Sequence, residues 1–262
     1  MKKCSFIVSV VALILPLGVL ADSHEEELPS LSDVWIMVPK QGMEGQFESA
    51  IQAHMAARAE GEDSRNWAGF RVVLGHNLNM YQWRYCCFDW ADQDAYLSEE
   101  QEKGFNAHWS ENVHQYVDHY HHYLENTDRE NSNWPEDEPT GPYYGVTTRT
   151  WKQGAGPGPN EARKKLSQLA LNEGWAEEGH KWLWLSRIGG KPMLAIVTEH
   201  ENFADMAPSE PNFFEFVTEQ MGSAEEADAV FTEFGSGFAS SDYTVWMFDP
   251  DLSTPADDSE DD

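Results

Sequence analysis

Two similar stretches decide the fold of this 262-residue chain: Val34-Trp35-Ile36-Met37-Val38 leads into Lys40-Gln41-Gly42, and residues 144–151 lead into Lys152-Gln153-Gly154. In each stretch a run rich in β-branched and aromatic residues predicts a strand, and the Lys-Gln-Gly that follows predicts a turn. A pattern of apolar residues with helical spacing comes after each turn. The repetition indicates that the same supersecondary unit occurs twice in the chain.

Each half continues with two strands joined by a turn, then a second helix and a last strand. The paired strands are predicted at residues 69–74 and 80–90 in the first half and at residues 181–188 and 192–199 in the second, with last strands at 119–124 and 243–248. The second helices are predicted to begin at the capping boxes that start with Ser98 and Ser223. The order β-α-β-β-α-β is that of the ferredoxin-like unit.

A single ferredoxin-like unit leaves one face of its sheet uncovered. The sequence therefore predicts an α+β fold in which two tandem ferredoxin-like βαββαβ repeats, residues 33–124 and 143–250, pack as a pseudo-dimeric α/β barrel. Residues 125–142 are rich in Asp, Glu, Asn and Pro, and we expect a linker there. Residues 22–32 and 251–262 are expected to be acidic tails, because runs of like charge are usually solvated.

The N-terminus has the three parts of a secretory signal. Lys2 and Lys3 precede an apolar run over residues 6–20, and small residues lie before the expected cleavage point after Ala21. We therefore expect residues 1–21 to be removed, the protein to be periplasmic or extracellular, and no stable membrane insertion after removal. An uncleaved anchor is the alternative.

The composition limits the classes of partner. Asp and Glu number 46 against 17 Lys and Arg, which gives a net charge of −29. Such a surface repels nucleic acid, so we expect no nucleic-acid partner. The aromatic content of 13% argues against a disordered acidic chain.

The two cysteines of the expected mature chain, Cys86 and Cys87, are adjacent in sequence. They cannot build a disulfide framework, and a ring between the two neighbours would be strained. On a strand their side chains are expected to point to opposite faces. We expect two free thiols, one of them in the core, with a redox pair as the alternative.

The chain resembles the dimeric α/β-barrel superfamily in a fused, two-repeat form, on the element order, the paired Lys-Gln-Gly turns and the segment Phe88-Asp89-Trp90-Ala91-Asp92-Gln93-Asp94-Ala95-Tyr96. That superfamily includes antibiotic-biosynthesis-type and haem-degrading monooxygenases, chlorite dismutases and NIPSNAP proteins. The resemblance implies a ligand site between sheet and helices or inside the barrel. It does not imply an activity, because members of one fold differ in function.

Histidines near the end of the first half are candidates for a metal site. His119 and His121 would share one face of a strand, so that two imidazoles converge. A third ligand would come from His180, Glu199 or His200. The alternative is that these are polar strand residues without a metal. Haem would need one axial ligand in a pocket, and no motif selects it.

Arg84, Trp83 and Tyr85 are the candidates for ligand binding. Basic residues are scarce, and Arg84 lies in an otherwise apolar strand, where it could fix a carboxylate. Trp83 and Tyr85 could line a pocket for a flat or apolar ligand. The alternatives are an ion pair with one of the many acids and ordinary filling of the core.

The sequence thus leads to two hypotheses about function. The first is an exported small-molecule-binding or interaction module. The alternative is an oxidoreductase of the α/β-barrel monooxygenase type that depends on haem or a transition metal. The sequence contains no Gly-x-Ser-x-Gly elbow and no phosphate-binding glycine loop, so it leaves open whether the protein is an enzyme.

Overall fold

The structure, a computed structural model, describes residues 28–134 and 141–255. The predicted signal peptide and most of both predicted acidic tails lie outside these residues. The described part contains eight strands: β1 (Leu31–Pro39), β2 (Ala68–Leu74), β3 (Tyr81–Phe88), β4 (Val117–Thr127), β5 (Tyr143–Trp151), β6 (Leu183–Ile188), β7 (Met193–His200) and β8 (Phe238–Phe248).

All eight strands form one closed antiparallel barrel in the order β1-β3-β2-β8-β5-β7-β6-β4. The first half contributes the strand order β4-β1-β3-β2, and the second half contributes β8-β5-β7-β6. The two halves meet where β2 pairs with β8 and where β4 pairs with β6. The predicted α+β class is confirmed, and the ferredoxin-like strand order is present in each half.

Six helices cover the outer face of the barrel: α1 (Glu44–Glu60), α2 (Trp90–Glu102), α3 (Phe105–Asn112), α4 (Gly158–Asn172), α5 (Phe213–Met221) and α6 (Ala224–Ser236). Between α1 and the first sheet lies a packed cluster that includes Phe47, Ile51 and Trp83. A second cluster, around Leu166, Val217 and Trp184, fills the corresponding space in the other half. These two apolar clusters therefore lie outside the barrel wall, on its helical side, and a third, smaller cluster with Phe70, Tyr144 and Trp246 lies on the inner side.

The helix starts differ in part from those that the sequence predicts. Ser223 caps α6 as predicted, because its side chain accepts a hydrogen bond from the backbone of Glu226. Ser98, in contrast, lies inside α2. The capping box of that helix begins nine residues earlier, and it is formed by Asp89 and Asp92. The sequence pattern had assigned this capping segment to the end of a strand, and it did not predict α5.

Segments predicted as linker or tail belong partly to the barrel. Residues 125–127 continue β4, because the alternation of inward and outward side chains persists past residue 124. Residues 31–32 belong to β1. Near the C-terminus, the Leu252 carbonyl accepts a hydrogen bond from Trp83 Nε1 at 2.8 Å, so the chain after β8 packs on the first half. A Cβ on Gly69 would meet that carbonyl oxygen at 2.8 Å, so this contact requires glycine.

The two Lys-Gln-Gly turns have the same backbone geometry. Gly42 and Gly154 adopt φ angles of 78° and 77°, the left-handed region that glycine enters without a steric penalty. In residues 28–134 and 141–255 no helix combines the length and the apolar character needed to traverse a bilayer.

Candidate functional site inside the barrel

An open cavity of about 1710 Å³ includes the barrel interior and is lined by residues of all eight strands, together with residues outside the strands such as Glu62, His76 and Pro255. Alternate residues of a strand point to opposite faces, so every strand contributes side chains to the interior. Eight-stranded barrels have interiors that are either just filled by side chains or able to hold one small ligand. The volume places this barrel in the second group.

One half of the cavity wall is aromatic at one end and polar at the other, where Thr148, Thr150, Ser240 and Asp242 line it. It is formed by the contiguous strands β2, β8, β5 and β7, and its buried members include Phe70, Tyr144 and Trp246. The rings of Phe70 and Tyr144 meet edge to face, with centroids 5.5 Å apart. Such a surface is suited to the body of an apolar ligand.

The other half of the wall carries charge. It is formed by β3, β1, β4 and β6, and contains Arg84, Glu125 and Arg187. Glu125 lies opposite both Ser32 on β1 and Arg187 on β6. The Arg84 Nη2 atom donates a hydrogen bond to Ser32 Oγ at 2.5 Å, which anchors this side chain against β1.

The two arginines of this wall are only partly compensated. Among the described residues, neither Arg84 Nε nor Arg187 Nε has a hydrogen-bond partner, although both atoms are buried. The nearest approach of Arg187 to a carboxylate is 3.7 Å, from Nη2 to Glu125 Oε1. Burial lowers the pKa of Arg84, because removal from solvent disfavours the charged guanidinium; Glu125 raises that pKa and Arg129 lowers it.

Cys86 and Cys87 also line the cavity. The structure joins them as a disulfide, so the expectation of two free thiols on opposite faces is wrong. The physical reason is an irregularity in the pairing of β1 with β3, where Leu31 lies opposite Phe88 and Ser32 lies opposite Cys86, which leaves Cys87 without a partner and interrupts the alternation. The Arg129 guanidinium contacts Cys87 Sγ at 3.4 Å.

The three predicted ligand-binding residues do not share one site. Arg84 faces the cavity, whereas Trp83 and Tyr85 point to the helical side of the same strand. Trp83 is buried and donates to the backbone of residue 252. Tyr85 lies beside the guanidinium of Arg65, which is 5.0 Å from its ring centroid. Alternation along β3 explains this separation.

The predicted metal pair is close together, with ring centroids 5.4 Å apart, and His121 lines the cavity. His119 Nδ1 lies 2.8 Å from Asp118 Oδ2. The proposed third ligands have other contacts: Glu199 with Lys181, His180 with Trp175, and His200 with Thr198. Within the described part of the chain, no three His, Cys, Asp or Glu side chains gather as metal ligands would.

A histidine pair lies between α1 and α3 on the helical side. His54 Nδ1 is 2.9 Å from His108 Nδ1, and Arg58 Nε donates to His54 Nε2 at 2.9 Å. Burial, the charge of Arg58 and the nearby His108 lower the pKa of His54 to about 3, so this imidazole is neutral. Both of its nitrogens are engaged, which makes His54 a structural residue and not a ligand.

A buried ion pair between Arg65 and Asp33 also lies on the helical side of the first sheet. Arg65 Nη1 donates to Asp33 Oδ2 at 2.7 Å, and both residues are almost fully buried. The remaining Asp33 oxygen lies 2.8 Å from His122 Nε2, and the His122 ring stacks on Trp35 at 4.0 Å. This network holds β1 and β4 to the segment that precedes β2.

Two functional candidates, Glu125 and Arg187, were not predicted from the sequence. Glu125 was assigned to the linker, although it continues the series His121, Tyr123 on the inner face of β4. Arg187 follows Leu183 and Leu185 at spacings of two residues. This two-residue period is the sequence signal that places the Arg187 side chain on the inner face of β6.

Comparison with known proteins gives fold-level similarity. No protein-family model matches the chain, and no curated protein matches it by sequence. A monooxygenase-like protein from Lactobacillus acidophilus NCFM superposes with a TM-score of 0.50 at 9% identity, over 86% of this chain and 95% of that one. A chlorite dismutase variant from Candidatus Nitrospira defluvii in complex with cyanide also gives 0.50, at 12% identity, over 86% and 92%. A haem-binding protein from Thermus thermophilus gives 0.44 at 11% identity, over 86% and 93%.

These similarities identify the fold as a ferredoxin-like α/β barrel of the monooxygenase and chlorite dismutase type. They do not transfer an activity, because the identities are 9% and 12% and one fold supports many functions.

Proposed function

We propose that the protein binds a small molecule inside its barrel. The observation that carries the proposal is the cavity of about 1710 Å³ between an aromatic wall and a charged wall. A large apolar pocket with a few convergent polar groups is the usual form of a ligand site. An interior filled by apolar side chains would avoid the free-energy cost of burying Arg84 and Arg187, so the presence of these two arginines supports a binding role.

A binding titration with a neutral naphthalene dye tests this proposal. The dye is expected to become fluorescent in the protein, and Ala195→Trp is expected to abolish the signal, because Ala195 lines the cavity on β7. Ala91→Trp is the matched control, since Ala91 is exposed on α2. If Ala195→Trp folds and binds the dye as well as the control does, the ligand site is not in the barrel.

We propose oxidation chemistry as the second candidate, on one observation: His121 brings an imidazole to the cavity. His121 would hold a haem iron from one side, and Arg84 and Arg187 would face the carboxylates of the group. Bound haem supplies electron transfer and oxygen chemistry. The helical side fits this group less well, because its space is packed and His54 is engaged at both nitrogens.

An absorption spectrum after addition of haemin tests the second candidate. A Soret band that His121→Ala removes would support it. A band that persists in His121→Ala, or the absence of any band, would contradict it. The metal hypothesis for His119 and His121 is tested by metal analysis of the purified wild type and of His119→Ala. The substitution should remove any bound metal.

We further propose that the chain arose as two fused ferredoxin-like repeats and that it acts outside the cytoplasm. The shared strand order and the two glycine turns support the first point, and the secretory pattern of residues 1–21 supports the second. The mass of the protein recovered from the periplasm or medium tests export: loss of 21 residues is expected, and a full-length chain would contradict it.

A further inference from the structure

The charged wall of the barrel has an excess of positive charge in a protein that is strongly acidic overall. Arg84 and Arg187 provide two guanidinium groups with buried Nε atoms, and Glu125 is the carboxylate that lies between their strands. Arg129 also lines the cavity, but its side chain is exposed. The remaining acid on the inner face of the strands, Asp242 on β8, lies 4.0 Å from His76, toward the end where β2 finishes. The two arginines with buried Nε atoms therefore share one carboxylate, that of Glu125.

The hydrogen-bond donors show the same deficit. Arg84 reaches Ser32 with Nη2, yet its buried Nε has no acceptor in the described residues. Arg187 Nη1 lies 2.9 Å from Met193 Sδ, and a thioether is a weak acceptor; its Nε has none among these residues. A buried charged donor without an acceptor is destabilising, so an arrangement of this kind is suited to an acceptor that arrives with a ligand.

The geometry of the two walls defines the rest of that ligand. The half of the wall formed by β2, β8 and β5 carries the aromatic side chains Phe70, Tyr144 and Trp246. The guanidinium group of Arg187, which lines the cavity, lies over the ring of Tyr123, with 4.0 Å from Cζ to the ring centroid. A planar guanidinium edge matches the two oxygens of a carboxylate.

We propose that the barrel binds an apolar or aromatic monocarboxylate, whose carboxylate lies between Arg84 and Arg187 and whose body rests on the aromatic wall. The inference rests on the proposed binding function and specifies the class of ligand. A single negative charge is specified because the two arginines with buried Nε atoms share one carboxylate, and Glu125 would repel a second negative charge.

Calorimetric titration with 2-naphthoate and with naphthalene-2-methanol tests the inference, because the two probes share their ring and differ in charge. The full chain is expected to bind the carboxylate more tightly than the alcohol. Arg84→Gln and Arg187→Gln are each expected to weaken naphthoate binding by about 10- to 100-fold, the effect of losing a charge-assisted hydrogen bond, and to leave the alcohol unchanged. Arg149→Gln is the matched control, since Arg149 is a half-buried arginine on the helical side of β5, against Phe234.

The outcomes separate the inference from the proposed function. Equal binding of both probes, with no effect of the arginine substitutions, overturns the carboxylate inference and leaves the barrel as a binding site. Failure of both probes and of the neutral dye overturns both proposals. If either glutamine variant does not fold, Arg84→Lys provides the same test: it keeps the charge but loses the planar fork, and unchanged naphthoate affinity would contradict the role given to Arg84. Preference for 2-naphthyl phosphate over 2-naphthoate would also contradict the monocarboxylate.

Discussion

Glu125 and Arg187 are direct cross-strand partners on β4 and β6, but their charged groups remain 3.7 Å apart at their closest approach. The strand pairing brings the two residues together, and the side chains do not close into a short ion pair. Arg187 keeps its Nε free of protein acceptors within the described chain, next to the cavity. This loose pair is what makes the charged wall receptive to an anion.

Removal of the Arg84 charge is expected to stabilise the ligand-free protein. Replacing a poorly paired buried charge by an apolar side chain of similar length is often neutral or favourable, so Arg84→Met should raise the free energy of unfolding by roughly 1 kcal/mol. Urea denaturation without ligand measures this. A loss of several kcal/mol would mean that Arg84 is a structural residue and that its hydrogen bond to Ser32 outweighs its burial.

Neutralising Glu125 is expected to have the opposite effect on binding from the arginine substitutions. The Glu125 carboxylate competes with a ligand carboxylate for Arg187, so Glu125→Gln should tighten naphthoate binding by roughly tenfold. Calorimetry provides the affinity, and Glu111→Gln, at an exposed position on α3, is the control. Weaker binding in Glu125→Gln alone would indicate that Glu125 orients the arginines and does not compete with the ligand.

The buried pair of Asp33 and Arg65 is expected to be essential for stability. Asp33→Asn leaves the Arg65 guanidinium buried without a counter-charge, and breaking such a pair costs about 3 kcal/mol or more. Asp118→Asn is the control, because Asp118 pairs with His119 at the surface, where an ion pair contributes little. Chemical denaturation of both variants gives the comparison; equal, small losses would show that the Asp33 pair is unimportant.

Acid is expected to destabilise the protein through His54. Its pKa is about 3 in the folded state and near 6.5 when unfolded, so the unfolded chain binds the extra proton first. The contribution of neutral His54 to the free energy of unfolding is fully present above the pKa of the unfolded state, and it is lost as the pH falls toward 3. Between about pH 7 and pH 5 the loss is about 2 kcal/mol.

The test is the difference in free energy of unfolding between the wild type and His54→Gln at the two pH values. Taking this difference cancels the other titrating groups, and it should shrink as the pH falls. His76→Gln, at an exposed position, is the control. A difference that is constant with pH would mean that the folded protein protonates His54 normally.

Much of the fold follows from local patterns in the sequence. The two strand-turn-helix units could be predicted because strand periodicity, the Lys-Gln-Gly turns and the Ser223 cap are local signals. The start of α2 was misplaced because Ser98 satisfies the same capping pattern inside a helix that Asp89 already caps.

The candidate site was predicted only in part. Arg84 was identified by its chemistry, as a scarce basic residue in an apolar strand. Alternation along β3 separates Arg84 from Trp83 and Tyr85, but which of the two faces turns inward is decided by barrel closure. Arg187 and Glu125 become partners through the pairing of β4 with β6, a contact between the two halves that no local pattern encodes.

The crystal structure of the protein with bound 2-naphthoate is the most direct test of the central claim. We expect the carboxylate within hydrogen-bonding distance of Arg84 Nε and Arg187 Nε, and the naphthalene ring against Phe70, Tyr144 and Trp246. Density for the ligand on the helical side of either sheet, or a barrel interior closed by side chains with no ligand in it, would contradict the account.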